Sequence, residues 1–339
     1  MKKLIVVLVL SIICLTGCGK IKNSDIVGSF QKSFDKCNGY QLSGQLEVVS
    51  NDDTYQYDVL VDYQKDDFYK VSLVNLANQF EQIILKNQDG VFLLTPSLNK
   101  SFKFQSDWPY KNSQIYLLNS LVQDIKNDSK YSIQRKDDSY VIKTKVDYPN
   151  NHKLTYQKIV IGKDYQLKQV QVYDNNDNMI MKFVVKNIEY SPKFQDDYFE
   201  LDSIIEEDEE EKEEEEEQEE EAEKTSVIED VLYPLIIPSG TKLVGEEKVS
   251  KDSGERVIMT YEGEKSFLLV EETLDVFQDF TVIPSMGEII PLTNTIGVIT
   301  DNSLSWSNGN MEYYLVSDVM STEEMIDIAE SIVGIPSVK

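Results

Sequence analysis

Between residues 40 and 73 apolar side chains occupy every second position. They run through Tyr40, Leu42, Leu46 and Val48, then Tyr55, Tyr57, Val59, Val61 and Tyr63, then the stretch from Phe68 to Leu73, with Gly44 holding the spacing in the first run. Successive side chains of an extended chain point to opposite faces, so this period admits a sheet with one greasy face and excludes an amphipathic helix. The clusters Asn51-Asp52-Asp53 and Lys65-Asp66-Asp67 between the runs carry turn chemistry, which makes neighbouring runs antiparallel hairpins.

The next two runs, Phe80 to Leu85 and Val91 to Leu94, are joined by Asn87-Gln88-Asp89-Gly90 and are apolar on both faces. Such strands belong in the middle of a fold, covered on each side by a helix or by a ligand. Two segments change the period. From Ser24, read as an N-cap, Ile26, Val27, Phe30 and Phe34 form one helical stripe. After Phe102, Phe104 and Trp108-Pro109, Ile115, Leu118, Val122 and Ile125 form a second, flanked by Leu117 and Leu121 and expected to start near Asn112 or Ser113. Strand patterns return at 131–133, 140–146, 154–161, 167–173 and 179–190, with Gly162-Lys163-Asp164 and Asn175-Asn176-Asp177 as turns. The order of helix, strands, helix, strands fits an α+β domain in which an antiparallel sheet curves around its helices.

The chain begins with Lys2, Lys3, an apolar run from Leu4 to Leu15, and Leu15-Thr16-Gly17-Cys18. A dozen helical residues rise only ~18 Å, against the ~30 Å of a bilayer core, so this segment reads as a cleavable signal peptide rather than a permanent span. Cys14 leaves with the signal and Cys18 becomes the new N-terminus, leaving Cys37 alone and no intrachain disulfide. Cys37 reads as a partly buried small residue at the first helix, with an intermolecular disulfide as the alternative.

The formal charge is −27, and it grows more negative once Lys2 and Lys3 are removed. Nucleic acid is excluded as a partner on that balance, and only Lys20 and Lys22 beside the anchor favour lipid headgroups. Glu206 to Glu223 holds fifteen carboxylates against Lys212 alone. With nothing apolar to bury, this tract is expected to be an extended acidic linker between two domains that fold independently. It lacks the spaced Asp/Asn/Gly pattern of a calcium loop.

Beyond it, strands are expected at 233–237, 256–261, 267–272, near Ile289, and at 298–300, 303–306 and 311–317. Asn308-Gly309 marks a hairpin turn. Ser321-Thr322-Glu323-Glu324 is a capping box that opens a last helix, with Met325, Ile328, Ala329 and Ile332 on one face and Gly334 at its stop. The expected layout is a signal peptide at 1–17, a lipidated tether at 18–23, a first domain at 24–203, an acidic linker at 204–226 and a small C-terminal α+β module at 227–339.

Chemistry is sparse. No glycine-rich phosphate loop, metal-spaced His/Cys cluster or Gly-x-Ser-x-Gly elbow occurs, and the single histidine, His152, lies in a turn beside Pro149-Asn150. The expectation is a protein that is not an enzyme and needs no cofactor or metal.

Leu15-Thr16-Gly17-Cys18 resembles the lipobox of bacterial lipoproteins, which implies a diacylglyceryl group on Cys18 and attachment to the outer face of the membrane; two acyl chains anchor stably where one binds reversibly. A second resemblance rests on Asn87-Gln88-Asp89-Gly90-Val91-Phe92, Thr95-Pro96-Ser97-Leu98-Asn99-Lys100-Ser101-Phe102-Lys103-Phe104, Ser106-Asp107-Trp108-Pro109 and Ser113-Gln114-Ile115-Tyr116-Leu117-Leu118. This pattern is similar to the LolA/RseB-like lipoproteins of Gram-positive bacteria, including those linked to sporulation and germination. The part from Tyr233-Pro234 through Arg256-Val257-Ile258-Met259-Thr260 to Trp306 and Tyr313-Tyr314 resembles the module that follows in those proteins, and the acidic tract is a departure from them.

The resemblance implies a curved antiparallel half-barrel with helices against its concave face, whose hollow takes an acyl chain or a lipoprotein segment. The alternative is a non-enzymatic envelope protein partner that regulates a cell-wall or spore-cortex enzyme. The residues expected to line the hollow are Phe92, Leu94, Phe102, Phe104, Tyr116, Leu117 and Leu121. Plain core is the competing reading for such a stripe.

Overall fold

A computed structural model of the chain describes residues 22–50, 53–104, 107–110, 112–206, 227–228, 230–251, 254–274, 277, 279–293, 295–309 and 311–332. The signal segment, Cys18 and nearly all of the acidic tract lie outside the described residues.

The alternating runs form hairpins in sequence order. Strands β1 (Gly39–Ser50), β2 (Asp53–Gln64), β3 (Phe68–Asn75), β4 (Glu81–Asn87), β5 (Gly90–Thr95) and β6 (Lys100–Phe104) follow one another across the sheet. After a helix at Leu118–Asn127 come β7 (Ser132–Arg135), β8 (Ser139–Lys145), β9 (Leu154–Gly162), β10 (Leu167–Asp174) and β11 (Met179–Tyr190). The two halves join where β1 pairs antiparallel with β11, Tyr40 opposite Tyr190 and Val48 opposite Met181. The register shifts between Ser43 and Gly44, where a Cβ on Gly44 would stand 2.5 Å from the Phe183 ring. Glycine lets the two backbones close at this bulge and bends the sheet.

The concave face takes the buried members of each alternation. Leu42, Val59, Val61 and Val71 meet Ile26, Val27, Phe30 and Phe34 of the first helix (Asn23–Asp35), and Leu118, Leu121, Val122 and Ile125 of the second. Full burial of each such side chain is worth about 1.5–3 kcal/mol.

The second helix starts at Leu118, later than Asn112 or Ser113. Ser113 is tied elsewhere: its backbone N–H donates to the Asp147 carbonyl, and its hydroxyl donates to Asp124 while accepting from the Asp147 N–H. The hydroxyl that could have capped an earlier helix start instead fastens the loop to the middle of the helix.

The doubly apolar strands are covered on both faces. Ile84, Val91 and Leu93 face the main core, while Ile83, Leu85, Phe92 and Leu94 pack on the other side against Phe199 and Ile204, from the segment that follows β11. What covers the outer face is thus the chain's own residues 194–206, of which 201–206 are helical.

The C-terminal part builds a second, seven-stranded antiparallel sheet from β12 (Lys242–Lys251), β13 (Gly254–Glu262), β14 (Phe267–Thr273), β16 (Glu288–Pro291), β17 (Ile296–Ile299), β18 (Ser303–Asn308) and β19 (Met311–Val316). The last helix, Thr322–Glu330, carries the expected capping box of Ser321 and Glu324 and packs Met325, Ile326, Ile328 and Ala329 onto this sheet's core. No strand forms at 233–237. Pro234 and Pro238 cannot donate to a ladder there, and Leu235 and Ile236 stay exposed. The outer strand is instead β12.

The expectation of two independent domains needs correction. Strand β15 (Thr281–Ser285) leaves the C-terminal part and pairs parallel with β6, becoming the edge of the first sheet and making it twelve-stranded. Ile289, Ile296 and Val298 belong to the core of the first sheet. Lys100 of β6 and Glu312 of β19 form an ion pair of 2.7 Å, each side chain 8% exposed. Gln82 of β4 donates to the Ile296 carbonyl and accepts from the Ile296 N–H and the Thr295 hydroxyl. The sequence patterns fix elements but not which sheet a short strand joins, so this union left no mark in the alternation.

Candidate ligand-binding hollow

The two helices fill only part of the concave face. Beside them, toward the ends of β1 to β4, the sheet presents Leu46, Val48, Tyr57, Leu73 and Ile84, and the loop before the second helix adds Trp108, Ile115 and Tyr116. These side chains enclose an apolar hollow. Its free volume is only about 50 Å³, because Ile289, Pro291, Leu292 and Ile296 of the C-terminal part are inserted from the open side. The Tyr57 hydroxyl donates to the Thr293 carbonyl at 3.3 Å and helps hold that segment in place.

Beside the hollow lies a wider cleft of about 420 Å³, within the size range of small-ligand sites. Hollow and cleft are neighbours, with Val48, Tyr148, Met181, Pro291 and Leu292 in the walls of both. The cleft floor is apolar, with Leu154, Ile180 and Ile326 added to the shared residues, and its rim is polar, with Asn112, Asn150, Asn151, Lys153, Asp174, Asn178 and Glu330.

Burial drives Glu330 up to about 7, even though a hydrogen bond with Thr293 favours its ionised form. Asp174 goes the other way. Burial alone would raise it, but the backbone N–H groups of Asn176 and Asn178 and the Asn178 amide donate to its carboxylate and hold it below the usual range. Lys153 is ion-paired with Asp327 of the last helix. Below the floor, burial pushes Asp124 up to about 7 against donors from Ser113 at 2.9 Å and Gln157 at 2.6 Å. Asp124 ties the second helix to β9 and to the loop that forms the hollow's wall, a positioning task.

Of the residues expected to line the hollow, Tyr116 does so. Phe104, Leu117 and Leu121 are packed in the core around it, with Phe102 half-buried at its margin. Phe92 and Leu94 lie on the opposite face of the sheet, against Phe199 and Ile204. His152 is exposed in its turn. The rim residues Lys153, Asp174 and Glu330 were not singled out from sequence. They come from a turn, a strand end and a helix end, and only the tertiary fold brings them together. Among the described residues there is no group of three or more side chains that could hold a metal ion, and no helix long and apolar enough to cross a membrane.

The first sheet is an open α+β arrangement, mostly antiparallel, that holds two helices against one face and leaves an apolar hollow beside them. No family model matches the chain. Over 326 residues it is 35% identical to the sporulation protein YdcC of Bacillus subtilis (strain 168), in a match that spans 96% of this chain and 94% of that protein. The chain belongs to the family of that sporulation protein. Solved structures aligned with it include the Pseudomonas aeruginosa MucA/MucB complex, at 12% identity and a TM-score of 0.31 over 90% of this chain and 96% of that one. They also include a LolA superfamily protein from Nitrosomonas europaea, at 10% identity and a TM-score of 0.31 over 53% of this chain and 98% of that one.

Proposed function

We propose that the protein is an exported lipoprotein, held on the outer face of the cell membrane by lipid on Cys18, whose hollow binds the acyl chain of an envelope amphiphile during sporulation. The observation that carries the binding role is the cleft of about 420 Å³ with an apolar floor, which adjoins the apolar hollow lined by Tyr116. Burying a chain there gains about 0.8 kcal/mol per methylene. The sporulation setting rests on kinship with the Bacillus protein. The role is binding rather than catalysis.

Two experiments test the reading. Native mass spectrometry of the mature chain purified from membranes is expected to show a co-purified single-chain lipid, and displacement of a fluorescent fatty-chain probe should be saturable. A chain that carries no lipid and takes up no probe would sink the ligand reading. Separately, Cys18→Ala should release the protein from the membrane fraction. Retention of that variant through a salt wash would refute the anchor.

A second reading, docking to an envelope protein such as a cell-wall or spore-cortex enzyme, is favoured by one feature. Edge strand β12 is exposed along nearly its whole length on both faces, with Leu243, Val244 and Val249 in the open and Leu235 and Ile236 exposed in the segment before it. A free edge with apolar side chains is a ready site for strand addition. Val244→Lys should then abolish recovery of a crosslinked envelope partner while sparing lipid uptake.

A further inference from the structure

Strands β7 to β10 reverse the sign of the chain. Against 60 acidic and 33 basic residues overall, these four strands hold one carboxylate, Asp174 at the end of β10, and five cations, Arg135, Lys143, Lys145, Lys158 and Lys168. Tyr140, Ile142, Ile159 and Val172 point into the core. The period of two therefore sends Lys143, Lys145, Tyr156, Lys158 and Tyr173 to the outer face, away from the helices.

On that face Lys143 and Lys158 stand directly opposite each other on neighbouring strands, and Lys145 stands opposite Tyr156. Like charges so placed cost stability. Neither Lys143 nor Lys158 forms an ion pair among the described residues. The Lys143 ammonium lies 3.7 Å from the centre of the Tyr156 ring and that of Lys158 4.3 Å from the Tyr173 ring, with the two rings stacked at 4.8 Å. The nearby acids lie at strand ends or are engaged. Asp137 and Asp138 stay in the turn before β8, Asp177 accepts from the Tyr156 hydroxyl, and Asp174 accepts from Asn176 and Asn178. Asp128, on which Lys145 acts, accepts from the Thr144 hydroxyl on the inner side.

The same part of the sheet receives the N-terminal end of the chain. Arg135, the last residue of the edge strand β7, donates to the Asn23 side chain in the first turn of the first helix at 2.8 Å. Cys18 precedes Asn23 by five residues, which reach at most about 18 Å. Ser132, three residues back along β7 and so about 10 Å from Arg135, pairs with Lys143.

We propose that the outer face of β7 to β10 is the surface that the protein lays on its own membrane, with Lys143, Lys145 and Lys158 against anionic lipid headgroups. This rests on the lipid-anchor reading above and adds the face that the anchor turns to the bilayer. A headgroup phosphate between Lys143 and Lys158 relieves their repulsion. The tyrosine stack, apolar in its rings and polar at its tips, suits the headgroup layer. Laid this way, the chain meets an anionic surface with its least acidic strands, and each lysine adds about fivefold in affinity.

The test uses the mature chain with Cys18→Ala, so that no lipid holds it, sedimented with vesicles of phosphatidylcholine alone or mixed in equal parts with phosphatidylglycerol. Binding to the mixed vesicles should be at least about tenfold tighter at low salt and should fall away at about 0.5 M salt. Lys143→Gln and Lys158→Gln should each weaken it about fivefold without lowering Tm, and Lys143→Arg should keep it. Lys242→Gln, on the second sheet, should leave it unchanged. Equal binding to both vesicles, or a loss in Lys143→Gln and Lys158→Gln no greater than in Lys242→Gln, would overturn the docking face. So would soluble glycerol phosphate that competes at the same phosphate concentration, since that marks a site for small anions. The lipidated wild type keeps the two readings apart. If it resists a salt wash while the Cys18→Ala chain ignores the mixed vesicles, the anchor stands and the face is removed; if salt releases it while the Cys18→Ala chain still prefers them, the face stands without the anchor.

Discussion

Replacing Glu312 with glutamine leaves Lys100 as an uncompensated cation between the two sheets. In the native protein the ammonium lies 2.7 Å from the Glu312 carboxylate and 4.7 Å from the centre of the Phe102 ring, with each charged side chain 8% exposed. Breaking a buried pair by removing one partner costs about 3–5 kcal/mol, because the remaining charge keeps its desolvation penalty and loses its counter-ion. Glutamine still offers a carbonyl oxygen and the aromatic ring still attracts the cation, so the loss should fall near the lower end, about 3 kcal/mol. For a domain this large that corresponds to a drop in Tm of roughly 6–12 °C, at 2–4 °C per kcal/mol. Lys100→Met combined with Glu312→Leu removes both charges and should recover most of the loss, since a hydrophobic replacement of a buried pair is often neutral or stabilising. Guanidinium denaturation of wild type, Lys100→Met, Glu312→Leu and the double variant closes the cycle, with Glu312→Gln measured beside it. A Glu312→Gln cost under 1 kcal/mol, or a double variant worse than either single, would refute the claim that the pair is buried and joins the two parts.

Stability should fall as pH rises from about 4.5 to 7, because Asp124 and Glu271 keep their protons to about 7 in the folded protein and lose them near 4 when unfolded. The slope is about 1.4 kcal/mol per pH unit for each group, and Asp124→Asn should remove one group's share; a denaturation midpoint that is flat or rising over this window would contradict it. Leu94→Glu and Leu121→Glu should both fail to give a cooperative melt, since each puts a charge at a fully buried position, one on each face of the sheet. Leu292→Ala should cost about 2–3 kcal/mol yet increase uptake of a fluorescent fatty-chain probe by widening the hollow, and unchanged uptake would argue that chains do not reach it.

The first domain was legible in the sequence wherever one physical rule acted alone. Alternation from Tyr40 to Leu73 marked β1 to β3, and the helical stripe at Ile26, Val27, Phe30 and Phe34 marked the first helix, because each has one buried face. The apolar pair at 80–94 announced two covered faces but not the covers, since Phe199 and Ile204 meet β4 and β5 only after the chain has returned from β11. That is why Phe92 and Leu94, reasonable as cavity walls from sequence, stand on the far side of the sheet from Tyr116. The parallel strand β15 and the rim of the cleft were invisible for a related reason: Thr281 to Ser285 is short and interrupted by Pro284, and Asp174, Lys153 and Glu330 belong to three separate elements.

The parallel pairing of Thr281 with Lys100 also sets an order of events as the chain is delivered N-terminus first. Strands β1 to β5 can zip up hairpin by hairpin as they appear, but β6 must wait with an open hydrogen-bonding edge until β15 has followed it across. Through that interval Lys100 has no carboxylate beside it, and the hollow has no inserted segment, so the nascent first domain is sticky at its rim and wider at its mouth than the finished protein. Such long-range parallel closure is slow and leaves unpaired edges open to aggregation. A folding helper, or an apolar molecule that occupied the hollow, would have its greatest effect in this waiting period.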